Sequence, residues 1–313
     1  MSASSSISKE HGACVTAKGE GPVASAAERA AQTAATGDVL LLDCGNSRLK
    51  VSLLHANALL EQPLLPDPES AYAACCKVLR GYATARPVQR VLVSSVRSMA
   101  FKNSLTGCLA ACGLPDPQWA TTCAGAALLA SDYALDQLGV DRYLALLAAR
   151  ARQRSRPMLV VDCGTAVTLD RLEADGRHSG GVIAPGLEMM RAALGRATAA
   201  LPGIAADGLS EDESGDASQS LPQDTTRAII EGTRAAFSGL ISAGIARLDV
   251  EDCAEILISG GDARVALSTL GGAPRAPTVL STLIFEGLLL WAGIAFDGEQ
   301  TGCGASVDAE DRW

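Results

Sequence analysis

The chain has 313 residues, 48% of them hydrophobic and 19% charged, with a formal net charge of −9. That length suits two domains of ordinary size, and the balance of apolar to charged residues excludes a disordered chain. The acidic balance, with no basic cluster to offset it, argues against a nucleic-acid surface, and no apolar run reaches membrane length; the nearest, Leu283 to Phe296, is short and carries Glu286.

Residues 1–37 are rich in Ala, Ser and Gly, lack an apolar signal-peptide core, and carry Glu10, Glu20 and Glu28, which a transit peptide avoids. They read as a disordered extension. Leu40 to Leu54 (LLLDCGNSRLKVSLL) then reads as a buried strand, an Asp-Cys-Gly turn and a second strand. A helix is expected over Glu69–Arg80, a strand over Val88–Val96, and a helix from Met99 to Cys112, stopped by Gly113. Asp141 heads a further helical pattern that stops before Pro157. Leu159 to Leu172 (LVVDCGTAVTLDRL) repeats the strand, turn and strand of the first segment. GGVIAPG from Gly180 predicts a strand and a bend, followed by a helix from Leu187 to about Ala200. The acidic stretch from Gly203 to Asp224 reads as a solvated loop. A helix over Thr225–Leu248 and a strand, paired glycines and helix start over Ile256–Val265 follow, and the polar tail from Asp297 reads as frayed. Hairpins followed by helices, occurring twice, describe two related α/β halves.

The duplicated turn carries the chemistry. Asp43 and Asp162, each at a strand end, can hold a cation or a water beside a polyphosphate. Gly45 and Gly164 allow close backbone approach to a phosphate. Asn46, Ser47, Thr165 and the turn N–H groups can donate to phosphate oxygens. Two such turns facing one another would grip a nucleotide triphosphate from both sides. Each Asp could instead merely hydrogen-bond its own turn, but the repetition favours the phosphate reading.

Ten cysteines and three histidines invite a disulfide or zinc framework, and their spacing refuses both: no Cys-x-x-Cys pair exists and no two histidines sit at ligand spacing. Reduced, mostly buried thiols are expected, with Cys44 and Cys163 as small packing residues. With no histidine in a motif, a carboxylate is left to accept a hydroxyl proton during phosphoryl transfer. Asp141, beside Arg142, is the best candidate, with helix capping as the alternative. Arg142 could pair with a substrate carboxylate in a forked geometry or form a surface ion pair. Lys50 is expected to share a strand face with Arg48, either as a phosphate contact or as an exposed lysine. Tyr133 reads as a core aromatic and Thr225 as a helix N-cap.

DCGNSRLK at Asp43, GVDR at Gly139, DCGTAVT at Asp162, GGVIAPGLEMM at Gly180, TAALP at Thr198 and TTRAIIEG at Thr225 lie in one order over about Val39 to Ala295. In that order they resemble the type III pantothenate kinases of the acetate-kinase, sugar-kinase and actin superfamily. Ser47 departs from the family's commoner Thr but keeps the hydroxyl, and the acidic insertion before Gln223 is a second departure. The resemblance implies two ribonuclease-H-like domains, here 38–155 and 156–296, flanked by 1–37 and the tail 297–313. It also implies ATP-dependent phosphorylation of pantothenate at the entry to coenzyme A synthesis, without feedback inhibition by coenzyme A. ATP would meet Asp43, Cys44, Gly45, Asn46, Ser47, Arg48, Leu49, Lys50 and Thr165, with Gly260-Gly261 near adenosine. Pantothenate would meet Tyr133, Gly139, Val140, Asp141, Arg142 and Thr225, with Asp141 as catalytic base. A monovalent cation, K+ or NH4+, would sit at Asp162, and a divalent cation, Mg2+, would accompany ATP. A cytoplasmic homodimer with a shared substrate site is implied, with no nucleic-acid or membrane partner. A kinase of another small alcohol or sugar, and a nucleotide-binding regulator without catalysis, are the competing readings.

Overall fold

Strand β1 (Asp38–Cys44) is buried along its whole length, as an apolar run covered on both sheet faces requires. It pairs antiparallel with β2 (Leu49–His55), and β2 with β3 (Ala58–Leu65). The β2–β3 connection is the two residues Ala56 and Asn57, both at positive φ, as a hairpin turn that follows the sheet twist requires. Helix α1 (Tyr72–Ala85) leads to β4 (Val88–Ser95), which lies parallel to β1, and α2 (Met99–Ala111) leads to β5 (Pro117–Trp119). The computed structural model describes residues 37–122, 129–134, 136–153, 156–197, 221–247, 255–270 and 277–296. The expectations for residues 1–36, for most of the acidic stretch, for the TAALP motif and for the tail from Asp297 lie outside them.

Local chemistry sets the ends of α2. Ser98 accepts the Phe101 N–H at 3.2 Å, and Gly113 at φ 72° lets the Gly113 and Leu114 N–H groups return to the Ala110 and Leu109 carbonyls. Helix α1 starts three residues later than its composition predicts, because Asp67 takes the Glu69 and Ala71 N–H groups into a turn first.

The second half repeats the first. After β6 (Ala130–Ser131) and helix α3 (Val140–Arg152) come β7 (Met158–Cys163), β8 (Ala166–Leu172) and β9 (Arg177–Pro185). Helices α4 (Leu187–Ala197) and α5 (Thr225–Arg247), strand β10 (Glu255–Ser259), helix α6 (Ala263–Thr269), strand β11 (Thr278–Val279) and helix α7 (Leu283–Trp291) complete the described elements. The first sheet runs β3-β2-β1-β4-β5; the second runs β11-β10-β7-β8-β9-β6. Read from β9 to β11, the second order is the first one again, with β6 added beyond β9. That is a duplicated ribonuclease-H-like unit, the two-domain α/β fold of the acetate/sugar kinase–actin superfamily. Residues 130–131, in the segment expected to belong to the first half, join the second sheet through β9.

Three apolar layers hold these sheets. Helices α1 and α2 cover one face of the first sheet, and α4, α5 and α6 cover one face of the second. Between the sheets lie α3 and α7, which share a core with Leu41 and Leu92 on one side and Val160 and Leu257 on the other. At about 2 kcal/mol for each fully buried leucine, this middle layer is a large part of what joins the halves. Its helices touch closely: a Cβ on Gly287 of α7 would collide with the Leu144 backbone of α3. Glu286, the charge inside the apolar run, is buried and held by the forked Arg152 guanidinium at 2.9 and 2.7 Å and by the Thr282 hydroxyl at 2.7 Å.

Candidate functional site

The two Asp-Cys-Gly turns close the β1–β2 and β7–β8 hairpins, and they meet. The Thr165 hydroxyl donates to the Ser47 hydroxyl at 2.9 Å, joining turns 118 residues apart. In the first turn the Gly45 N–H bonds the Arg48 carbonyl, and in the second the Gly164 N–H bonds the Ala166 carbonyl, each at 3.1 Å. Neither Gly45 nor Gly164 adopts positive φ, so left-handed freedom is not what these glycines supply. Glycine is required beneath the second turn instead. Gly260, at φ 95°, sits so close to the Cys163 backbone that any side chain would collide, and Gly186 lies equally close to the Gly164 carbonyl.

Cys44 and Leu49 turn their side chains into the core under the first sheet, so only their main chain faces the turn. Asn46, Ser47 and Arg48 are exposed. Arg48 lies in the turn, ahead of β2, so the strand face it was expected to share with Lys50 does not form. Its guanidinium instead approaches Gly261 in the second half. Lys50 stands opposite Asp43 in the β1–β2 register and acts electrostatically on both Asp43 and Asp162.

Asp43, Asp162 and Asp141 form a carboxylate cluster. Burial pushes the Asp43 carboxyl up to about 7, and Asp162 and Asp141 add to the rise against the pull of Lys50. Burial also raises Asp162, opposed by Lys50 and reinforced by Asp141. Burial raises Asp141, opposed by the Arg142 N–H and guanidinium. Asp162 Oδ1 is buried without a hydrogen-bond partner. A buried, unpartnered carboxylate oxygen among like charges is what a bound cation would satisfy. Among the described residues no three His, Cys, Asp or Glu groups are arranged to hold a metal alone. One unpartnered carboxylate oxygen fits a cation that takes its other ligands from phosphate oxygens and water.

The acceptor side begins at α3. Gly139 is its N-cap and Asp141 its second residue, so Asp141 does not occupy the cap position, although its carboxylate does accept a first-turn N–H as the capping alternative requires. The Asp141 carboxylate takes the Arg142 N–H at 2.8 Å and folds over Gly139, where a side chain would strike it. Asp141, Arg142, Asp162, Thr168, Asp170 and Ser259 line one crevice whose cavity volume, about 10 Å³, admits about one water. Arg142 is no surface ion pair: it is 6% exposed and grips Asp170, itself 2% exposed, through Nε at 2.9 Å and Nη2 at 2.5 Å. The Tyr133 ring lies 5.3 Å from the Arg142 guanidinium carbon and packs, partly buried, against the middle core, as the core-aromatic alternative expects. Val140 packs against the same core.

Thr225 is exposed at the start of α5 and lies outside the residues lining the crevice. It is not the cap: Asp224 accepts the Arg227 N–H at 2.8 Å and does that work. Sequence reasoning missed Asp170 and His178. A lone Asp inside a strand, and a His eight residues on, carry no motif; only the β8–β9 register brings them together.

Residues 39–247 match the family model described as type III pantothenate kinase. The chain belongs to the type III pantothenate kinase family. Among curated members, the protein from Thiobacillus denitrificans is 34% identical over 257 residues, covering 81% of this chain and 96% of its own. That from Bordetella bronchiseptica is 34% identical over 282 residues, covering 84% and 99%. Among solved structures, the activator of 2-hydroxyisocaproyl-CoA dehydratase from Clostridium difficile with bound ADPNP has a TM-score of 0.48. It is 11% identical, with 82% of this chain and 95% of that one covered. The family match spans both duplicated turns, the GVDR segment and α5.

Proposed function

We propose that the protein transfers the γ-phosphoryl group of ATP to the primary hydroxyl of pantothenate, giving 4′-phosphopantothenate and ADP. The observation that carries this reading is the meeting of both phosphate turns, through Thr165 and Ser47, beside a crevice holding Asp141 and Arg142, in a chain of this family. The hydroxyl oxygen bonds to the γ phosphorus, the bond to the bridging oxygen breaks, and the hydroxyl proton passes to the Asp141 carboxylate. The raised affinity of Asp141 for a proton suits it to that role. Arg142 meets the pantothenate carboxylate, with Tyr133, Gly139 and Val140 beside it.

The nucleotide lies between the turns, its phosphates toward Asp43, Lys50 and the main chain of 44–49, and Thr165. Asp162 would hold a monovalent cation, K+ or NH4+, and Mg2+ would accompany ATP; bound there, these ions would supply positive charge against the phosphates. The chain acts as a homodimer, with Thr225 of one protomer completing the pantothenate pocket of the other. We place the halves at 38–155 and 156–296, with β6 crossing to the second sheet. No helix among the described residues is long and apolar enough to cross a membrane. We place the enzyme in the cytoplasm on its family resemblance.

A coupled ADP-release assay on a panel of small alcohols, with and without potassium, tests the assignment. Turnover on sugars and none on pantothenate overturns it. Asp141→Asn should lower kcat about 10²- to 10⁴-fold with the melting temperature unchanged. A near-normal kcat would remove Asp141 from the chemistry.

A further inference from the structure

Arg142 is not presented to the crevice by its own helix alone. Its Nε and one Nη2 hydrogen are bound to the two oxygens of Asp170 and the Tyr133 side chain also bonds the guanidinium, so the N–H groups left for a substrate are those of the end formed by Nη1 and Nη2. Asp170 is fixed in turn. Its Oδ1 also meets His178 Nε2 at 2.8 Å, and the other ring nitrogen, Nδ1, meets the Ser131 hydroxyl at 3.0 Å. Ser131 Oγ accepts the Tyr133 N–H at 3.0 Å, which anchors the residue whose ring lies beside the guanidinium. The chain of bonds therefore begins and ends on Arg142, and it ties α3, β8, β9 and β6 together.

The burial of this network marks it as built. His178 is fully buried and Asp170 is 2% exposed. Gly181, in the GGVIAPG segment, is the residue that makes room: a Cβ there would strike Asp170 Oδ1 and approach Arg142 Nη2. A buried Arg–carboxylate pair adds little stability over an apolar replacement, so stability alone gives no reason for the arrangement. Fixing the direction of one guanidinium does.

We propose that Asp170 and His178 are positioning residues that hold Arg142 by its inner edge, so that its outer edge receives the carboxylate of the acceptor substrate as a preformed fork. Because Asp170 already neutralises Arg142, recognition rests on the direction of two N–H bonds more than on net charge. The arrangement selects for a planar carboxylate and against an alcohol of the same length. Gly181 is the steric condition for the pair. This inference rests on the assignment of Arg142 to the pantothenate carboxylate.

The experiment compares pantothenate with pantothenol, in which a hydroxymethyl group replaces the carboxylate, in steady-state assays of the full-length enzyme. Arg142→Ala should raise the pantothenate KM about 100-fold and leave the ATP KM within about 2-fold, erasing discrimination against pantothenol. Asp170→Asn and His178→Leu should each raise the pantothenate KM about 10-fold with kcat and the ATP KM nearly unchanged. His178→Gln, whose amide can still donate to Asp170, should return the KM to within about 3-fold of the parent. Removing Asp170 leaves a buried guanidinium unpaired and can prevent folding. Should Asp170→Asn give no folded protein, the His178 pair decides. Folded His178→Leu with parental pantothenate KM and discrimination, while Arg142→Ala is impaired, overturns the positioning role alone. An Arg142→Ala enzyme with parental pantothenate KM overturns the assignment of Arg142, and the positioning role with it.

Discussion

The two Asp-Cys-Gly turns share those three residues and differ in what lies opposite and beneath them. In the first, four residues separate the paired Cys44 and Leu49, the turn is exposed, and Asp43 faces Lys50 across the hairpin. In the second, three residues separate Cys163 and Val167, Asp162 faces Thr168, and glycines 186 and 260 press against the turn from behind. The first thus carries its own countercharge on an open loop. The second is braced and carries a carboxylate oxygen with no partner. Under the proposed function the first turn follows the phosphates and the second holds a cation, and this difference in surroundings is what separates the two tasks.

The largest expected effect tests the carboxylate with the unpartnered oxygen, Asp162. Asp162→Asn should lower turnover about 10³-fold, close to 4 kcal/mol in the barrier, and should abolish any rate difference between potassium and sodium at constant ionic strength. Equal rates in the two salts for the parent enzyme would remove the asymmetry on which the assignment rests.

Bracing is the next contrast. Gly260→Ala must strain a backbone at φ 95° and displace the Cys163 main chain, so unfolding should become easier by about 3 kcal/mol or more. Gly45→Ala places its Cβ 3.3 Å from the Arg48 carbonyl, a close contact on an exposed loop, and should move the melting temperature little. Comparable losses in the two variants would show the turns to be equally constrained.

Asp43 gives a pH test with a definite sign. Its carboxyl rises from 3.8 to about 7 on folding, so between those values the folded chain binds more protons than the unfolded one. Its contribution to stability is therefore greatest below about pH 4, falls as the pH rises toward 7, and levels above that. Asp43→Asn should melt higher than the parent at pH 8, by about 2–4 kcal/mol in unfolding free energy, while losing turnover. The gain should vanish near pH 4. A variant that melts lower at pH 8 would mean that Lys50 outweighs burial there.

The smallest effect concerns the contact between the turns. Ser47→Ala and Thr165→Val should each cost about 0.5–1 kcal/mol of stability, and the double variant no more than either alone. Strict additivity in that cycle would show that the hydroxyls do not bond in solution.

Much of this comparison was legible before any coordinates, because both turns end apolar runs of unmistakable strand character and carry the same Asp-Cys-Gly. What escaped has local causes. β3 is largely exposed, holds Pro63, and follows a turn of Ala56 and Asn57, where Ala at positive φ is an uncommon signal. Helix α7 is apolar on nearly every side because both sheets cover it, so it shows no amphipathic period. Asp170 and His178 become neighbours through a register shift between Arg171 and Leu172, which no spacing rule anticipates. Asp141 stood out as a candidate from its place in GVDR; its having Gly139 as a platform was not legible.

The close seat of Gly287 on Leu144 has a consequence for motion. Helices α3 and α7 touch each other at backbone distance and pack against both sheets, so the halves have no loose joint between them. Under the proposed function, closing over a nucleotide has to carry this shared helical layer with it, which sets a shear of small steps against the swing of two separate lobes. A side chain at position 287 would act as grit in that bearing, slowing the opening that releases product while leaving the carboxylates and the turns chemically intact.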